Sequence, residues 1–342
     1  MSSHLINLLI VGNPHASHIG SHFLKASELL GIKVHIIDIA KAFGRNKVIQ
    51  KLLWKYSGRY PQHLNLFSNS VVDLCKNLSI SHVISTGISP LNINCISELK
   101  KLGIIVLNYL TDDPWNEAHK APWFITGLPY YNAIFTTRRS HISDLKKIGC
   151  NQVFYCPFAF QNEMHKLPFG NTMDREGKDV VFVGGADLDR IKLIKPLLDF
   201  PFSVILYGGY WGIKHPFSQF SGGHVNLEYL AMVSQKSKIT LCLVRRANRD
   251  GHVMRSYEAA ASAACMLVED TMEHREIFGE DGECVVFFNS NEQMILRARW
   301  LLDHPEERLR LRHAVYRRIV LEGKNTYTDR LRTILETVGV KV

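Results

Sequence analysis

Residues 238–270 read KITLCLVRRANRDGHVMRSYEAAASAACMLVED. The stretch opens on a short apolar run, ITLCLV, and passes through a charged loop into small residues. It closes on a second apolar run, CMLV, backed by Glu269 and Asp270. Short apolar runs without polar alternation read as strands covered on both faces, and a helix between two of them is the crossover of a parallel pair. The spacing predicts a helix that starts near Val253 and runs through AAASAA, whose small side chains let a neighbour approach closely. Arg245, Arg246 and Arg249 cluster in the loop that leaves the first strand, and Arg255 and Glu258 fall in the first turns of the helix.

The same alternation runs outward in both directions. In the first half the expected strands are LINLLIVG, KVHIIDI, HVISTG, IIVLNYL, NAIFTT and QVFYCPF, separated by helical patterns such as GSHFLKASELLG and ISELKKLG. In the second half they are DVVFVGG, FSVILYGG, KITLCLV, CMLVED and ECVVFF, separated by patterns such as LDRIKLIKPLL, NLEYLAMVSQKS and NEQMILRARWLLD. The fold class is α/β, with parallel sheets covered on both faces. Residues 165–179, HKLPFGNTMDREGKD, are polar and without periodicity. They read as a linker, here taken as 166–178, between domains at 1–165 and 179–325, with a last helix at 326–342 that packs back on the first domain.

A chain of 342 residues fits two domains of ordinary size. No apolar run approaches the roughly 18 residues that cross a bilayer. MSSHLINLLIVGNP lacks the basic start and cleavage site of a signal peptide, so a cytoplasmic location is expected, with contact at the inner membrane face as a minor reading. The seven cysteines include no CxxC pair, which makes them buried thiols of a reducing compartment. The sixteen histidines show no ligand spacing, and no metal site is expected. The formal charge of +9 favours phosphate-bearing partners. Much of it lies in 297–318, which reads as a solvated basic helix face, with membrane docking as the alternative. No basic-aromatic platform or motif supports nucleic acid as a partner.

Open α/β sheets bind ligands at the carboxyl ends of their strands, so the exit loops carry the chemistry. The first, residues 11–23, contains Gly12, Asn13, His15 and Gly20; it is neither GxGxxG nor a P-loop, and Ser17 or Ser21 is expected to cap the next helix. The fourth strand exits into NYLTDDPWNEAH, where Asp112 and Asp113 suit a base or a ligand for hydroxyl groups. One of them also suits an N-cap before Pro114. Gly184 and Gly185 end the strand DVVFVGG and open a backbone approach to phosphate, with Arg190 one turn into the next helix. Asp187 and Asp189 have DxD spacing but fall at that helix start. YGGYWG offers Tyr210 or Trp211 to a ring, or packs them. In the opening stretch the helix start, with His252, Arg255 and Ser256, favours a diphosphate, and Glu258 accepts from sugar hydroxyls.

HVMRSYEAAASAACMLVED, followed by EIFGEDGECVVFFNSNEQM, LLDHPEERLRL and NTYTDRLRTIL, resembles the C-terminal half of the CgeB-like glycosyltransferases. That group is similar to the retaining GT-B glycosyltransferases. NYLTDDPWN resembles its D-D-P element and FVGG the opening of its second domain, so the resemblance extends from about residue 80 to the C-terminus. Tyr257 stands where the family has Phe, Ala263 or Ala264 near its Gly, Asn325 at its His, and Asp250 at the first of two acids of which Glu258 is the second.

The resemblance implies a GT-B fold: two Rossmann-like domains, their sheets facing across a cleft. It implies retaining glycosyl transfer from a nucleotide diphosphate sugar to a glycan, protein or small-molecule acceptor, with no metal and no cofactor beyond the donor. Glu258 would hold the ribose, and Arg190, Arg246, Arg255 and the helix start the diphosphate. Asp250 would lie near the donor sugar, Asp112 or Asp113 near the reacting groups, and Gly12, Asn13 and His15 on the acceptor side. The alternative is a binding protein of GT-B shape, active in surface assembly, that holds a nucleotide or glycan without turnover.

Overall fold

The computed structural model describes residues 6–44, 46–163, 177–213 and 217–342. The chain divides into two compact units. The first comprises residues 1–157, 247–249 and 327–342, and the second 158–246 and 250–326. The linker expected at 166–178 lies outside the described residues except for its last two positions.

The first unit is built on β1 (Asn7–Gly12), β2 (Lys33–Asp38), β3 (His82–Thr86), β4 (Ile105–Leu110), β5 (Ala133–Thr136) and β6 (Val153–Tyr155). All pair in parallel, in the order β2-β1-β3-β4-β5-β6. The middle of β1 is apolar because helices cover both faces of the sheet: Leu8, Leu9, Ile10 and Val11 are fully buried. Phe67, Val71, Leu99 and Phe124, from the helices Leu64–Asn77, Ile93–Lys101 and Pro122–Gly127, complete the core on one face. The C-terminal helix Tyr327–Thr337 belongs to this unit, and the Tyr327 ring stacks on His22 of the helix Ile19–Leu29 with centroids 4.7 Å apart.

The second unit is built on β7 (Val180–Val183), β8 (Val204–Tyr207), β9 (Ser221–Gly223), β10 (Ile239–Cys242), β11 (Met266–Glu269) and β12 (Val286–Phe288). They form a second parallel sheet in the order β12-β11-β10-β7-β8-β9. The edge strand β9, Ser-Gly-Gly, has neither apolar nor β-branched residues, and sequence pattern missed it for that reason. Polar side chains fix the helix starts. Asp187 accepts from the Arg190 amide at 2.9 Å and Asn226 from the Tyr229 amide at 2.8 Å. Ser290 likewise accepts from the Gln293 amide at 3.1 Å.

Segment 297–318 departs from the expected free basic face. It is broken at His304–Pro305 into the helices Asn291–Asp303 and Pro305–Tyr316. Several of its arginines are engaged locally: Arg297 pairs with Asp281 at 2.8 Å, Arg308 donates to Leu302 O at 2.8 Å, and Arg318 donates to Ile277 O at 2.8 Å. All seven cysteines are free and buried. Among the described residues no helix is long and apolar enough to cross a membrane.

Candidate active site

Each sheet has one point where the chain reverses its direction of winding. In the second unit β8 and β9 are added on one side of β7, and β10, β11 and β12 on the other. The carboxyl ends of β7 and β10 therefore border a crevice of the kind in which open α/β sheets bind ligands. Arg190 lies there, only 6% exposed. Its guanidinium donates to Gly185 O at 3.3 Å and to Leu243 O at 3.2 Å, one beyond each strand end, and lies 3.6 Å from Asp187. Burial lowers its pKa, and the neighbouring Arg245 adds to the effect. A cation held where burial disfavours its charge favours an anionic ligand. A Cβ on Gly184 would meet the Phe182 ring at 2.7 Å, whereas one on Gly185 would make only an ordinary contact, with Gly209 O at 3.8 Å.

The next exit loop carries Asp250, whose carboxylate accepts from the Arg245 amide at 3.3 Å and so closes the loop. The helix Met254–Ala261 then begins without a side-chain cap at Val253 and without an acid in its first turn, which leaves its positive end uncompensated. Glu258 is 1% exposed and ion-paired with Arg255, one turn before it. Arg246 reaches Glu269 at the end of β11, at 2.8 Å, and Glu269 also accepts from the Val244 amide at 3.1 Å.

Buried polar groups hold this helix start in place. The Val253 amide donates to Ser256 Oγ at 3.1 Å, Ser256 Oγ lies 2.8 Å from His274 Nε2, and His274 Nδ1 lies 2.8 Å from Glu269 O. Because Nδ1 must donate to a carbonyl, Nε2 is the acceptor of the serine proton and the ring is neutral. Burial lowers the His274 pKa to about 4. His252 is fixed in the same way. Its Nε2 accepts from the Phe158 amide at 3.1 Å, so Nδ1 donates to Glu273 at 2.6 Å. His252 and Ser256, expected on the donor side, are buried and hydrogen-bonded within the protein, where they position the helix start. Ala263 ends this segment at φ 52°, with the Ala264 amide donating to Ala259 O at 3.1 Å, the arrangement that glycine usually closes.

In the first unit the reversal lies between β1 and β3. A cavity of about 350 Å³ opens at their carboxyl ends, lined by Asn13, His18, Thr86, Asp112, His119 and the rings of Trp54 and Trp123, among others. A Cβ on Gly12 would sit 2.7 Å from Thr86 Oγ1, and one on Gly20 2.6 Å from Asn13 O, so both glycines permit the approach of helix to strand that shapes this end. The helix that follows is capped by neither Ser17 nor Ser21: its N-cap is His18, which makes no side-chain cap bond. Arg59 stands behind the cavity, donating to Ala118 O at 3.2 Å, to Lys120 O at 2.9 Å and to Glu117 O, and so clips the loop that supplies His119.

Asp112 lines the cavity, and Asp113 does not. Asp113 is 2% exposed, takes Arg249 at 2.5 and 3.0 Å, accepts from the Trp115 amide at 3.0 Å and has His141 Nε2 at 3.6 Å. Burial opposes its ionisation, but the nearby His141 ring, the Arg249 guanidinium and the Trp115 amide outweigh this and hold its carboxyl well below the usual range. A carboxylate so held is a poor base near neutral pH. It caps a turn, since no helix begins at Pro114. His15 is exposed, with Nδ1 3.1 Å from Ser17 Oγ, and it is His18 that faces the cavity. Tyr210 is exposed at φ 72°, while Trp211 is buried and donates to Gly184 O at 2.7 Å. Among the described residues no three His, Cys, Asp or Glu side chains gather as metal ligands.

Residues 190–336 match the model of a family described as glycosyl transferase-like. No curated protein matches the chain. Among solved structures it is similar to sucrose-phosphate synthase from Thermosynechococcus elongatus, with a TM-score of 0.68 and 10% identity over 97% of this chain and 98% of that one. It is also similar to a UDP-forming alpha,alpha-trehalose-phosphate synthase from Burkholderia xenovorans, with a TM-score of 0.62 and 12% identity over 98% and 99% of the two chains. A UDP-N-acetylglucosamine 2-epimerase from Listeria monocytogenes, so described, has a TM-score of 0.57 and 10% identity over 97% and 96%. The fold is GT-B, and residues 190–336, a little under half of the chain, are similar to a glycosyl transferase-like family.

Proposed function

We propose that this chain transfers a glycosyl group from a nucleoside diphosphate sugar to an acceptor hydroxyl, with retention and without a metal ion. The observation that carries the reading is Arg190, buried at the winding reversal of the second sheet and donating to carbonyls just beyond two strand ends. The diphosphate leaves as an anion, and a preset cation and uncapped helix amides stabilise that charge without reorganising. Arg190, Arg255 and the start of the helix Met254–Ala261 meet it in place of a metal. Glu258 takes the ribose hydroxyls; in doing so it exchanges its ion pair with Arg255, which turns to the phosphates. Asp250 lies toward the donor sugar. In the first unit Asp112 accepts from acceptor hydroxyls, with Trp54 and Trp123 as apolar walls for a sugar ring. Retention and the CgeB-like branch rest on the resemblance of the segment that contains Arg255 and Glu258.

Incubation with UDP-, GDP- and dTDP-sugars tests this reading. Release of the nucleoside diphosphate with the sugar on water or an acceptor is the expected result. A donor that binds and stays intact would make the chain a binding protein, and a sugar epimerised on its nucleotide would make it an epimerase; either result overturns the proposal.

A further inference from the structure

We infer that the helix Lys47–Tyr56 of the first unit docks on an anionic membrane surface. Val48, Leu52 and Tyr56 recur every fourth residue, and each is between 53% and 71% exposed. Spacing of four places them on one stripe along the helix. Lys51 and Lys55, also four apart and exposed, run beside that stripe, and Lys55 Nζ stands 5.1 Å from the centroid of the Tyr56 ring. The charge pattern of the surrounding sequence points the same way. Residues 39–72 contain Lys41, Arg45, Lys47, Lys51, Lys55 and Arg59 and no Asp or Glu at all. This contrasts with segment 297–318, where Arg297, Arg308 and Arg318 are met by a local acid or carbonyl.

An exposed apolar stripe beside lysines is the pattern of a helix lying in a bilayer interface, where the apolar side chains enter the acyl boundary and the cations meet anionic headgroups. A second copy of this chain fits the face less well. A ten-residue helix presents far less than the roughly 800 Å² per partner of a stable interface, and the two lysine rows would face each other. The inference rests on this helix alone, and it holds or fails independently of the donor chemistry.

Sedimentation of the full chain with vesicles tests it, using phosphatidylcholine alone and phosphatidylcholine with about a third phosphatidylglycerol. The wild type is expected to sediment with the anionic vesicles, to be released at high salt, and to stay in solution with the neutral ones. Leu52→Glu and the double variant Lys51→Glu/Lys55→Glu are expected to lower the bound fraction at least tenfold while keeping the wild-type circular dichroism. Absence of binding to anionic vesicles, equal binding to both kinds, or undiminished binding by the variants would overturn the proposal. So would a concentration-dependent dimer, dispersed by Leu52→Glu, in the absence of vesicle binding.

Discussion

Asp112 and Asp113 are neighbours in sequence and differ in what their surroundings let them do. Asp113 is enclosed by Arg249, His141 and the Trp115 amide, while Asp112 faces the cavity. Replacing Asp113 by Asn removes a buried charge and leaves Arg249 without its closest partner, a change that costs about 1–3 kcal/mol. Asp112→Asn touches a group at a cavity wall and is expected to alter stability by no more than about 0.5 kcal/mol while lowering transfer. Urea unfolding and turnover measured on both variants check the pair; the reverse pattern would contradict the assignment. The sequence shows two acids at a strand exit, but the partner that separates them, Arg249, is 136 residues away. Periodicity carries no information about a contact of that range. His18 was passed over for the same kind of reason: the exit loop shows three histidines, and which of them faces the cavity depends on where the helix starts.

At the scale of elements, the strand-loop-helix-strand unit around Met254–Ala261 is legible because each segment follows its own period and the small residues mark a close approach. The groups beneath it are not legible: Glu269, Glu273 and His274 read as ordinary residues of a strand end and the next helix, although they fix His252 and Ser256. His274 yields a prediction about pH. Its folded pKa of about 4 lies below the ordinary value of 6.5, so between these values the unfolded chain binds more protons than the folded one. The stabilisation by neutral His274 is complete above about pH 6.5 and is lost as pH falls toward 4, where protonated Nε2 no longer accepts from Ser256. Urea midpoints measured from pH 7 to pH 4.5 are expected to fall, and to fall less steeply in His274→Gln. Some slope remains in the variant, because burial also lowers the pKa of His141 and His82. An unchanged slope would show that His274 does not carry the effect.

At the scale of the whole molecule, eleven of the twelve strands and the division into two parallel sheets follow from apolar runs alternating with helices. The positions of the two candidate sites follow from strand order, which no local pattern contains: only the sheet topology puts β7 beside β10 and β1 beside β3. The net charge of +9 is likewise informative only once its parts are placed. Arg297, Arg308 and Arg318 are engaged by local partners, Arg249 holds Asp113, and Arg190 lies at the crevice. The central claim is that this crevice receives the diphosphate of the donor. Calorimetric titration of UDP, GDP and dTDP into the wild type and into Arg190→Met, which keeps length and apolar volume, tests it most directly. One nucleotide is predicted to bind the wild type at one per chain and to lose at least tenfold in affinity in the variant, about 1.4 kcal/mol or more, with circular dichroism unchanged. No binding to the wild type, or equal affinity in a folded Arg190→Met protein, would contradict the account.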